Sequence, residues 1–161
     1  MGDWADFFVA ELGAAAALAG LVIVAISINV TRILSTPLLP GRAAETLVTP
    51  TGVLIASTYA LVPHQPAWLF GAEIALTGAA MWIVPTIIQV RTLCSGQVVL
   101  GSRAVLPRIL LTQLSSLPIA ATGILIDLGT PGALYWIVPG IVVSLIATVI
   151  NAWVLLVEIL R

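Results

Sequence analysis

Two glutamates and a histidine fall where they could act together at one edge of an apolar layer. Glu11 comes about one helical turn into the first long apolar stretch, and Glu73 about one and a half turns into the third. His64, the single histidine, stands in the turn before Glu73. A carboxylate in hydrocarbon costs at least about 2.5 kcal/mol, so acids at that depth are candidates for function. If they face a common space, they could hold a cation or relay a proton, with His64 as a neighbour. The simpler alternative is that each sits at the headgroup boundary or bonds an adjacent helix.

A second set lies toward the opposite edge. Arg108, Thr112, Ser115, Ser116 and Thr122 follow helical spacing, with Gln113 at their flank and Ile119 interrupting the stripe. Ser144, Thr148, Asn151 and Glu158 repeat the pattern on the last apolar stretch. Two polar stripes in one bundle either line a cavity or join helices, at about 0.6 kcal/mol per contact. Arg108 requires a counter-charge or a wet site, and Glu45 and Glu158 are the acids available on its side.

Little else carries chemistry. Cys94 is the one cysteine, which excludes an intrachain disulfide and a cysteine metal site. No ligand spacing for a metal, paired histidines for haem, or nucleophile elbow is present, so neither catalysis nor a bound cofactor or metal is expected. A net charge of −1 leaves no basic patch for nucleic acid.

The elements that must position these groups follow from composition. Of 161 residues, 60% are hydrophobic and 8% charged, against about 25% charged in soluble domains. That ratio points to lipid as the solvent and leaves no polar stretch long enough for a water-soluble domain. A bilayer core takes roughly 20 helical residues to cross. The chain divides into five such stretches, at about 7–30, 44–61, 68–90, 104–126 and 134–157, in one all-α transmembrane bundle. The second is the most diluted, by Thr46, Thr49, Pro50 and Thr51.

Five spans place Arg32, Arg42, Arg91, Arg103, Arg108 and Arg161 on one side, and Asp3, Asp6, Asp127 and His64 on the other. By the positive-inside rule the N-terminus is outside and the C-terminus cytoplasmic. Trp4, Phe7, Phe8, Tyr59, Trp68, Phe70, Tyr135 and Trp136 fall near the outer ends, as an aromatic belt would. The acidic opening residues do not suit a secretory signal, so the first span is expected to remain as an anchor.

Gly13, Ala17, Gly20 and Ser27 share one face of the first span, a smooth strip suited to close helix approach. The partner is either another helix of the chain or another subunit, with Leu18, Val22 and Ile26 turned to lipid. Prolines at 50, 85, 107, 118 and 139 lie within spans two to five and allow bends.

The segment from Phe8 through Gly20, continuing to Asn29 and Arg32, resembles the opening of a family of small bacterial polytopic inner-membrane proteins. The resemblance implies a bacterial inner membrane and transfers no functional residue. The sequence therefore predicts a homo-oligomeric channel or permeation pathway for an ion or small solute. The alternative is a non-catalytic accessory or scaffold subunit docking a larger membrane partner.

Overall fold

The structure, a computed structural model, describes residues 2–37, 39–94 and 105–157. Arg103, Glu158 and Arg161 lie outside the described residues. The helices in chain order are α1 (Gly2–Ile28), α2 (Val30–Ser35), α3 (Leu39–Ala60), α4 (Ala67–Cys94), α5 (Val105–Asp127) and α6 (Ile137–Val157). A 3₁₀ turn, Ala133–Trp136, precedes α6, and no strand occurs among the described residues.

Among the described residues, four segments are long and apolar enough to cross a membrane: Trp4–Ile28, Ala67–Cys94, Leu106–Asp127 and Ala133–Val154. The fifth long helix, α3, has 22 residues, about 33 Å at 1.5 Å per residue. It matches the others in length and falls short in apolarity, because Arg42, Glu45 and Thr46 open it.

Local chemistry sets the helix ends. Asn29 interrupts α1 with φ −104° and ψ 12°, and its side-chain amide donates to the Ala25 carbonyl. Helix α2 ends at Thr36, which adopts extended backbone before Pro37, as residues preceding proline do. Helix α5 closes with Gly129 at φ 67°, while Thr130 N–H donates to Leu125 and Gly129 N–H to Ile126. This crossed pair is the Schellman arrangement, which favours glycine at the left-handed position. Pro50, Pro85 and Pro118 lie inside helices. Pro107 and Pro139 instead occupy first turns, where the missing N–H has no intrahelical partner to lose.

The long helices alternate in direction. Helix α3 packs against α1, α4 and α6, α5 packs against α4 and α6, and α1 also touches α6. The core joins Phe8 and Ala15 of α1, Val53 and Ala56 of α3, Phe70, Ile74 and Met81 of α4, Ile119 of α5, and Ile137 and Ile141 of α6. Phe8 and Phe70 are therefore core residues rather than members of an aromatic belt. Trp4 stays in an aromatic group with Phe7, Phe8 and Tyr135, the last at 5.0 Å between ring centres.

Within the chain, α1 packs by the side expected to face lipid. The small-residue strip of α1 does not face the bundle: Gly13, Ala17, Gly20 and Ser27 are exposed, and nothing lies within 4 Å of a Cβ built on either glycine. The opposite side is buried through Phe8, Ala15, Val22 and Ala25, with Leu18 and Ile26 partly covered. Close backbone approach occurs instead between α4 and α5. A Cβ on Gly78 would overlap the backbone of Ala120, and one on Gly123 the backbone of Ala75 and Gly71.

Candidate functional site

At the arginine end, four helices contribute to one polar cluster. Arg108 of α5 forms an ion pair with Glu45 of α3, the counter-charge its depth requires. The Glu45 carboxylate also accepts from Gln89 Nε2 of α4, which lies 2.8 Å from Thr112 Oγ1 of α5. Asn151 of α6 borders the same cluster across two voids of about 10 and 20 Å³. Side-chain exposure is 8% for Glu45 and 22% for Arg108. A single water would fill either void, so the described residues form a clamp at this end and not an open lining.

The stripes above the clamp pack dry. Ser116, Thr122 and Ser144 are fully buried and Thr148 is 1% exposed. Each hydroxyl donates within its own helix: Ser115 and Ser116 to Thr112, Thr122 to Pro118, Ser144 to Gly140, and Thr148 to Ser144. Gly140 brings α6 against Ile119 and the Ser115 carbonyl. The polar lining expected from Thr112, Ser115, Ser116, Thr122, Ser144, Thr148 and Asn151 thus does not enclose a path within one chain. Intrahelical bonds satisfy the hydroxyls, so water is not needed to do so.

The opposite end, where α1 begins and α3 turns into α4, is organised differently. The expected grouping of Glu11, Glu73 and His64 divides. His64 is exposed, at φ 57°, and lines a cavity of about 390 Å³ with Trp4, Phe8, Gln65, Phe70 and Leu134. Glu11 lies on the buried side of α1, between Phe8 and Ala15, and its Oε2 is buried without a hydrogen-bond partner. Glu73 accepts a hydrogen bond from Gln65 Nε2 and lines a second space, between α3 and α4. Among the described residues no three of His, Cys, Asp and Glu converge as metal ligands would.

That second space is a groove of about 460 Å³ on the flank of the bundle. Buried Gly52, Thr77 and Met81 form its floor; exposed Thr51 and Ile55 of α3 and Leu76, Ala80 and Val84 of α4 form its rims. Gly52 lets the Met81 side chain pack against the α3 backbone at this floor, in the space a Cβ would need. The lining is apolar except near Tyr59, Glu73, Thr51 and Thr77, and Thr77 turns its hydroxyl back to the Glu73 carbonyl. Neither the groove nor Gln65 was apparent from sequence.

No known protein family, curated protein or solved structure matches the chain. The resemblance expected for the first span finds no support in these comparisons, and the geometry of the site must carry the functional reading.

Proposed function

We propose that this protein is a five-span, multi-pass protein of the bacterial inner membrane that binds an amphipathic molecule laterally, in the groove between α3 and α4. The observation that carries the reading is an apolar groove, open on the flank, whose lining includes Glu73 and Tyr59. Its volume falls within the roughly 300–1,000 Å³ of small-molecule sites, which combine apolar walls with a few polar groups. A flank opening suits a ligand that arrives through lipid. The charge distribution supports the N-terminus outside: Arg32, Arg42, Arg91 and Arg108 lie toward one end of the bundle, and Asp6, His64 and Asp127 toward the other.

The test is photolabelling in lipid nanodiscs with an alkyl diazirine, followed by peptide mapping. Labels should concentrate on α3 and α4 and fall when Ala80→Trp fills the groove. Labels spread evenly over all lipid-facing helices, unchanged by Ala80→Trp, would refute the reading.

The exposed strip Gly13, Ala17, Gly20 and Ser27 favours a second reading, in which α1 docks another copy or a larger partner and the chain is an accessory or scaffold subunit. A homo-oligomeric channel would have to run between copies. The outward faces of α5 and α6 there carry Leu110, Leu114, Leu117, Val142, Ile146 and Val149, which offer no polar lining.

A further inference from the structure

We infer that the groove takes an organic cation, a molecule with an apolar body and a positively charged head held by Glu73. The inference rests on the lateral-binding reading above and adds the sign of the ligand's charge. The two carboxylates that border membrane-depth cavities are treated oppositely by the fold. Glu45 is neutralised by Arg108. Glu73 receives one hydrogen bond from Gln65, a neutral amide, and no cationic partner among the described residues. The described arginines are at the far end of the bundle, and the chain contains no lysine.

Gln65 reinforces the same preference. Its Nε2 is committed to Glu73, while its Oε1 is buried and accepts no hydrogen bond. The Glu73–Gln65 pair therefore carries an anionic acceptor and a spare neutral acceptor and no cation, while Thr51 and Tyr59 bring only neutral hydroxyls to the groove. An anionic headgroup would meet like charge at low dielectric, whereas a cation gains the Coulomb energy that the fold has not supplied. Tyr59, on the groove wall, adds an aromatic face of the kind that attracts cations. Gln65 also lines the cavity with His64, so the Gln65–Glu73 bond stands between that cavity and the groove.

The experiment uses two probes of the same shape and opposite charge, tetraphenylphosphonium and tetraphenylborate. Each is equilibrated by dialysis against the full chain in dodecyl maltoside micelles, with empty micelles subtracted. The wild type should retain the cation. Glu73→Gln should weaken cation retention about tenfold or more and leave the anion unchanged or better bound. Glu73→Asp should keep part of the cation binding, which separates loss of charge from loss of fold. If a monodisperse Glu73→Gln protein binds the cation as the wild type does, the inference is overturned. Equal retention of both probes, abolished for both by Ala80→Trp, would leave the groove standing and remove its charge preference. Retention of neither probe by the wild type would overturn the cation inference, while the photolabelling result would still decide the groove.

Discussion

Glu45 on the second turn of α3 accepts from Arg108 of α5 and from Gln89 of α4, so one carboxylate ties three helices together at the arginine end. Both members of the ion pair are largely withdrawn from solvent. In such a site, removing one partner leaves a charge that nothing balances, while removing both leaves only an apolar gap to fill.

Accordingly, Glu45→Leu or Arg108→Met alone should destabilise the bundle by about 3–5 kcal/mol, and the double variant should recover most of that loss. Reversible unfolding in mixed micelles measures this. A double variant as unstable as the sum of the singles would show that the pair is not coupled.

Trp82 lies on a lipid-facing part of α4, and its indole N–H donates to Gln113 Oε1 of α5 at 2.6 Å. Gln113→Leu should cost roughly 0.6–1.7 kcal/mol, the range for interhelical hydrogen bonds in membranes. Fluorescence of a variant retaining Trp82 as its one tryptophan should shift when Gln113 is replaced, and an unchanged spectrum would remove the bond from the account.

The two glycine-bearing faces should respond oppositely to bulk. Gly78→Leu drives a side chain into the Ala120 backbone and should prevent α4 and α5 from docking, seen as aggregation or loss of folded protein. Gly13→Leu and Gly20→Leu project into open space and should leave the folded chain intact. If they lower the mass of a native assembly without unfolding it, α1 is the contact between subunits; an unchanged mass would exclude that role.

Ser144→Ala and Thr148→Val remove hydroxyls that bond only to carbonyls of their own helix in this structure. Stability should change by about 1 kcal/mol or less. A pronounced change in ion flux through liposomes on either substitution would contradict the dry packing of α5 against α6.

The helical architecture and the need of Arg108 for an acid or a wet site were legible from sequence, because long apolar runs and charges at depth each have few physical solutions. The facing of helices was harder to read. In water an apolar face turns inward, but between lipid and a protein core both sides of a helix are apolar, so the pattern does not say which side packs. This is why the strip of α1 was expected to make contact and is exposed, while Val22 and Ile26 turn inward. The α4–α5 seam had a signal in the seven-residue spacing of Gly71 and Gly78 opposite Ala120 and Gly123. The hydroxyl stripes misled because serine and threonine look the same in sequence whether they face water or their own backbone.

Helix α3 owes its place to its neighbours. Its buried Glu45, Thr46 and Ser57 are turned away from the bundle surface, and its charge is balanced by a residue 63 positions later in the chain. During synthesis α3 emerges well before Arg108 does, so until α5 arrives Glu45 must do without that ion pair, with Arg42, three residues earlier in α3, the cation nearest it in sequence. Assembly of this bundle is therefore completed from its C-terminal half, and a chain cut short before α5 would be left with a helix for which lipid is a poor substitute.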